Sequence, residues 1–456
     1  MAGNAKADGV VSRLIGEVPI PKFYRVRQKF DGAHIEDVPA AVAEALRRPG
    51  TLDQIRAGQK VAIAAGSRGI GNIAAIARAL ADAVRAAGAA PFFVPAMGSH
   101  GGATAEGQAQ VLADYGITER SMGCPVVSSM ETVRLGETGR GVGVYFDKNA
   151  YGADAVVLMN RVKPHTDFRG PHESGLVKQI VIGLGKQDGA CACHRYRLDE
   201  MSANIRDAAA LALSRTNVAF GLGIVENAYD QTALVSAVPK DRLFDEERQL
   251  LEMAYKNMPS ILLSPIDVLI IDEIGKDISG AGMDPNITGR FPTNYATGGA
   301  DAQRCVVLDL TEQSHGNGLG IGVADYSVTR AFDKFDFEAS YSNIITNFLP
   351  QAGKLPVILA NDLLAIRAAI KTCNDIDYGK PAIIRIKNTL SMEYMYISEA
   401  LLGRAEAHPS VELAGAPDQA AAPGGAGAPV EFAFDGRGNI DFDIWRRGSY
   451  NGSCLA

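Results

Sequence analysis

The sequence predicts an α/β protein: two α/β domains with mainly parallel sheets and a functional site in the cleft between them. Three observations carry this. At 456 residues the chain is too long for one core and long enough for two or three. Short apolar runs alternate with helically patterned segments from Lys60 onward, which implies a parallel sheet with helices on its faces. The alternation then restarts at Pro265-Ile-Asp-Val-Leu-Ile-Ile-Asp272, which places a domain boundary near 256–264.

The elements follow in order. Lys60–Ala65 reads as a buried strand, followed by the turn Gly66-Ser-Arg-Gly-Ile-Gly71 and an Ala-rich helix over Ile73–Ala87. Pro91–Pro95 is a second strand. Thr104 caps a helix that contains Gly107 and runs to about Tyr115. Further strands are predicted at Gly141–Phe146, Asp154–Met159, Val218–Val225 and Ala233–Val238, with helices at Met201–Ser214 and Asp241–Asn257. In the second unit, Arg304–Leu310, Leu355–Leu359 and Ala382–Ile386 are strands, and Tyr341–Phe348 and Leu363–Thr372 are helices. Ala414–Pro429 is Ala/Gly/Pro-rich without large apolar residues, the composition of a flexible linker. Val430–Phe434 and Asp435–Asn439 read as the strand and turn of a small hairpin. The expected division is 1–260 for an N-terminal cofactor-binding and catalytic domain, 261–410 for a C-terminal α/β domain, and 411–456 for linker and tail.

The bulk numbers exclude some partners. A net charge of −7 argues against a nucleic-acid binder. No apolar run approaches the ~18 residues of a membrane span, and Met1–Phe30 lacks a signal-peptide core. The six cysteines form no C-x-x-C pair and suit a reducing compartment, so a cytoplasmic location is expected. No feature of the sequence speaks to oligomeric state.

Lys178 and His194 are the most informative pair. Of seven histidines, His165, His172 and His194 fall in one segment with Lys178, and His194 follows the lysine by sixteen residues. An amine open to modification thus lies near imidazoles able to hold a metal or move protons. His100 stands in Met97-Gly-Ser-His-Gly-Gly, on a glycine-flanked loop after a strand, where open α/β sheets bind ligands. Cys191-Ala-Cys193-His194 is either a turn of small residues or a metal or redox cluster. Lys186 competes with Lys178 as the modified amine. The Gly66–Gly71 turn is either a tight strand-to-helix turn or, as in short-chain dehydrogenases, a nucleotide-phosphate loop. No tyrosine here has a lysine four residues later, as those enzymes need. Arg68 in that turn is well placed to meet a carboxylate.

Over roughly residues 60–200 the order and spacing of these residues resemble the nickel-pincer-nucleotide-dependent lactate racemases and related 2-hydroxy-acid racemases and epimerases. The resemblance rests on Arg68, on Gly98-Ser-His100, on Asn160-Arg161 leading to His165, on Gly175-Leu-Val-Lys178 with Gly183, and on His194. It implies a covalent tie from Lys178 to a nickel pincer nucleotide (pyridinium-3,5-bisthiocarboxylic acid mononucleotide nickel), with Gly175 in the cofactor-binding motif. It implies His194 as the one protein ligand of nickel, and His100 and His165 as the acid/base pair. Arg68 would hold the substrate carboxylate with a lysine of the second domain, for which Lys276 in the Gly-rich loop Glu273–Asn286 is the candidate. Gln313-Ser-His315-Gly-Asn317 is a further possible lining segment. The implied partners are a small 2-hydroxy acid and the proteins that make the cofactor. The chain departs from the family at Ala65, at Ser67-Arg68-Gly69, at Leu176 and at Ile182, and has a longer span around His172, which marks a divergent branch. Two other classes stand beside this one: an NAD(P)-linked oxidoreductase using the Gly66–Gly71 turn, and a non-catalytic binding protein on the same fold.

Overall fold

The computed structural model describes residues 9–66, 69–415 and 427–445. The chain divides into two compact units. One is Asp31–Met258, and the other joins the residues up to Phe30 with those from Pro259 on. Strands are numbered along the chain.

In the Asp31–Met258 unit, β2 (Lys60–Ala65), β3 (Ala90–Pro95), β6 (Ala155–Arg161), β7 (Val218–Glu226) and β8 (Thr232–Pro239) form a sheet in the order β3-β2-β6-β7-β8. The first four are parallel, and β8 returns antiparallel to β7. The apolar runs are continuous because both faces are covered. Ala62 and Ala64 of β2 enter one core with Val156 and Leu158 of β6. Val61, Ile63 and Ala65 enter the other with Val157 and Met159, as the two-residue period of a strand requires. The helix Ile73–Ala86 closes the second core with Ile73, Ile76, Ala77, Leu80 and Val84, a single helical stripe.

One expected strand lies elsewhere. β4 (Thr132–Glu137) and β5 (Gly143–Asp147) form a separate antiparallel ribbon. The connection Thr138–Val142 is closed by the Thr138 N–H to Val142 carbonyl bond, and a hairpin this short cannot make a parallel crossover.

In the other unit, β9 (Ile266–Ile271), β10 (Ala302–Val307), β11 (Tyr326–Val328), β12 (Val357–Leu359) and β13 (Ile383–Ile386) run parallel. β14 (Tyr394–Ser398), β1 (Phe23–Gln28) and β15 (Val411–Leu413) extend the sheet antiparallel, in the order β12-β11-β10-β9-β13-β14-β1-β15. β1 therefore pairs here, although the sequence grouped residues 1–260 together, and the stretch expected to be linker starts as β15. Residues 416–426, within the expected linker, lie outside the described residues. Beyond them Val430 bridges Phe23 and Phe434 bridges Ile440. The turn between the latter pair is fastened by Asp435, which accepts from the N–H groups of Arg437 and Asn439.

Strand order locates the ligand crevice of each unit. In such sheets ligands bind outside the carboxyl ends of two neighbouring strands whose connections leave in opposite directions. Those strands are β2 and β6 in one unit, and β9 and β13 in the other.

Candidate functional site

β2 leads into the Gly66–Gly71 turn and β6 into the loop that carries His165, so both open on the first crevice. The loop is closed by the pairing of Lys163 with Ser174. Glu173 is its inner clamp. Its carboxylate accepts from the His165 N–H at 2.7 Å, the Gly170 N–H at 3.2 Å and the Tyr255 hydroxyl at 3.0 Å. Arg169 donates to the His165 carbonyl at 2.7 Å, and Phe168 lies 4.3 Å from the His165 ring, centre to centre. The backbone of His165 is fixed at both its N–H and its carbonyl, and Phe168 packs against its ring.

Lys178 ends the single helical turn Leu176–Lys178. Glu247, from the helix Leu243–Asn257, caps that turn by accepting the Val177 N–H at 2.7 Å. A Cβ on Gly175 would sit 2.7 Å from the Glu247 carboxyl carbon, so the cap demands glycine there. Asn160 donates to the Gly175 carbonyl at 2.8 Å, and its oxygen would lie 2.6 Å from a Cβ on Gly66. Gln179 donates to the Ala64 and Met159 carbonyls. The lysine segment is thereby stitched to the ends of β2 and β6. Gln179–Gly183 continues as a π-helical turn, a form often found at functional sites.

The central contact is Lys178 Nζ to His165 Nε2, at 2.7 Å. His165 Nδ1 accepts the Asp167 N–H at 3.1 Å. The two side chains stand within hydrogen-bond reach, a lysine amine beside an imidazole able to take or return its proton, the arrangement that activates an amine as a nucleophile.

His194 ends the helix Lys186–His194. The turn expected at Cys191–His194 is thus helical, and the small residues Gly189 and Ala190 pack inward there. The Nδ1–H of His194 donates to the Ala190 carbonyl at 2.7 Å, which leaves the Nε2 lone pair outward. Burial pushes the ring's pKa down and keeps it neutral, the form that binds a metal. Cys193 is fully buried and its thiol is pushed up to about 12 by that burial, so it does not offer a thiolate. Among the described residues no group of three or more His, Cys, Asp or Glu side chains is placed to hold a metal ion.

The loop of His100 lies against this same segment. The Gly98 N–H donates to the Gly183 carbonyl at 3.2 Å, and a Cβ on Gly98 would touch Ile182 at 3.3 Å. His100 itself is exposed. Arg68 lies outside the described residues. Lys276 belongs to the other unit, in the loop after β9, and donates to the Gly280 carbonyl at 2.7 Å. His315 caps a short helical turn in that unit. His172 is a core residue held down to about 4, chiefly by burial and then by Arg206 and Arg248. Lys186 is fully buried among acceptors, so Lys178 is the accessible amine of the two.

The Gly66–Gly71 turn is built for packing. The Gly71 N–H donates to Glu226 at 2.5 Å, and a Cβ there would lie 2.5 Å from the Asp230 carbonyl. Glu226 also pairs with Arg161. A dinucleotide phosphate would need that N–H and would meet the Glu226 carboxylate instead.

Sequence analysis missed Glu247, Glu173, Gln108 and Asp147. For Glu247 a signal existed. It shares the apolar stripe of its helix with Leu243, Leu250, Leu251 and Ala254, and a carboxylate on a buried stripe marks a partner.

Residues 17–205 match the family described as the lactate racemase N-terminal domain. Among solved structures, the lactate racemase apoprotein from Thermoanaerobacterium thermosaccharolyticum aligns at 15% identity and a TM-score of 0.50, over 80% of this chain and 93% of that one. A protein from Thermotoga maritima aligns at 12% identity and a TM-score of 0.43, over 60% of this chain and 70% of that one. At such identities the likeness is one of fold. No curated protein matches the chain.

Proposed function

We propose that this chain, whose residues 17–205 match the lactate racemase N-terminal domain family, is an isomerase that racemises or epimerises a 2-hydroxy acid with a nickel pincer nucleotide tied to Lys178. The observation that carries the proposal is the 2.7 Å contact between Lys178 Nζ and His165 Nε2. It supports an amine held ready to bond an acyl carbon. The chain also offers a metal ligand: with its Nδ1–H given to the Ala190 carbonyl, His194 has its Nε2 lone pair left to bind one. When bound, the group supplies a reversible acceptor for the hydrogen on the carbinol carbon.

The residues divide the remaining work. Once the lysine nitrogen is acylated it no longer competes for His165, whose Nε2 is then available to take or return the substrate's hydroxyl proton. His100, on its exposed loop, takes the same role for the other enantiomer. Arg68 and Lys276 are the proposed anchors of the substrate carboxylate.

The test is intact mass and turnover of protein co-produced with the cofactor-synthesis proteins. We expect a covalent adduct on the wild-type chain, its loss in Lys178→Ala, and inversion of a 2-hydroxy acid by the adduct-bearing form alone. An unmodified chain that releases a nicotinamide dinucleotide on denaturation would overturn the proposal in favour of an oxidoreductase. An unmodified chain that releases nothing would leave a binding protein.

A further inference from the structure

A second lysine stands deep in the same unit, away from the amine that the proposed chemistry uses. Lys186 has no exposed surface. It opens the helix Lys186–His194 with a φ of +54°, a left-handed backbone that a lysine adopts only at a cost. Its ammonium donates to the Pro95 carbonyl at the end of β3 and to Gln108 Oε1 at 3.1 Å, and it forms an ion pair with Asp147 Oδ2 at 3.1 Å. Asp147 and Gln108 are also fully buried. Asp147 caps the next helix through the Ala150 N–H at 2.8 Å.

A buried ion pair is a weak source of stability, because apolar side chains of similar volume often do as well or better. Its use must be sought in what it fixes. Gln108 answers that. With its oxygen occupied by Lys186, its amide group donates both hydrogens outward, to the Gly98 carbonyl at 2.8 Å and the His100 carbonyl at 3.2 Å. The glutamine cannot turn over, since the flipped amide would aim a donor at the ammonium. Lys186 thereby sets which way Gln108 points, and Gln108 holds the two carbonyls that bracket the His100 loop. The loop needs such a hold. Gly98, Gly101, Gly102 and Ala103 all have φ between +54° and +65°, so beyond the short turn Gly101–Ala103 and single backbone bonds no helix or strand fixes it.

We infer that Lys186 is a positioning residue for His100, acting through Gln108. One helix then carries both functions: its first residue orients the His100 loop, and its last residue is His194. This rests on the proposed reading of His100 as an acid/base group. A misplacement near 1 Å at a reacting group can cost about 100-fold in rate, so the network has a large effect to protect.

The experiment uses the full chain without cofactor, with the histidine rings labelled with nitrogen-15 and the His100 resonance assigned by its absence in His100→Gln. Lys186→Met removes the donors at similar volume. Gln108→Leu leaves Lys186 its Asp147 and Pro95 partners, takes away one acceptor and frees the two carbonyls, so it guards against a Lys186→Met chain that fails to fold. We expect the His100 ring resonance to shift or broaden in both variants, while those of His34 and His408 stay unchanged. The double variant should be no worse than the single ones, because the two residues act in series. A His100 resonance unchanged in Gln108→Leu would overturn the inference, whatever the change in thermal midpoint, since that pattern describes packing alone. With the adduct-bearing protein, Gln108→Leu should lower kcat about 10- to 100-fold with little change in KM. If wild type turns over no 2-hydroxy acid, the reading of His100 fails, and the resonance arm still decides the positioning role.

Discussion

Lys178 and His165 were legible as neighbours because both occupy motifs read along one short stretch of chain. The contact itself was not, because it needs the loop closed by the pairing of Lys163 with Ser174, which no side-chain pattern reveals. Cys193 illustrates the opposite case. In sequence it stands beside His194 as the next candidate ligand, and burial argues against it, with its thiol pushed up to about 12. Two substitutions separate these residues. In protein produced with its cofactor, His194→Ala should lose bound nickel while the adduct on Lys178 remains visible by mass. Cys193→Ser should keep wild-type nickel content by metal analysis. Nickel lost from the serine variant and retained by the alanine variant would move the ligand to the sulfur.

Among the elements, β2, β3, β6, β7 and β9 were plain in the sequence, since strands buried on both faces are continuous apolar runs. β11 and β15 were missed because three residues carry no period, β1 because half its side chains are polar, and β14 because it follows β13 closely and pairs with the remote β1. The cap of Glu247 on the Lys178 turn joins two elements in the same remote way. Burial pushes this carboxyl up to about 7, and His172, 3.9 Å away, is held down at about 4. Between the ordinary value of 4.5 and about 7 the native state binds the Glu247 proton and the unfolded state does not. Stability therefore falls as pH rises across that window. His172 acts with the opposite sign between about 4 and 6.5, where the unfolded state binds the proton and the native state does not. Glu247→Gln removes only the first slope and keeps an amide oxygen for the Val177 N–H. The stability of this variant relative to wild type should then climb from pH 4.5 to 7, by about 3 kcal/mol in all, as read by urea unfolding at several pH values. A difference that stays constant with pH would mean that Glu247 is already ionised in the native protein.

For the molecule as a whole, composition and alternation sufficed to predict two α/β units, but not which residues close each one. β1 pairs with Tyr394–Ser398, a contact between opposite ends of the sequence that no local pattern encodes. The same unit holds the segment Val430–Trp445, which the sequence marked only as a small hairpin beyond a linker. Its apolar side chains are structural. Phe432 stacks on Phe23 with ring centres 3.6 Å apart and lies edge-on to Tyr396. Trp445 donates to Asp272 at 2.6 Å, and that carboxylate also accepts two bonds from the fully buried Arg385, each at 2.7 Å. Phe432→Ala should therefore cost about 3–5 kcal/mol, the range for a buried phenylalanine. A chain ending at Gly415 should lose more, because water then reaches an Arg–Asp pair that the segment now covers, and a charge pair built for a dry setting weakens when wetted. Trp445 is the single tryptophan of the chain, so its emission reports the docking directly. In Phe432→Ala the emission should move to longer wavelength at urea concentrations below those that unfold the wild type. If emission and urea midpoint both match wild type, Phe432 does not anchor the segment, and the Trp445–Asp272 bond alone must hold it.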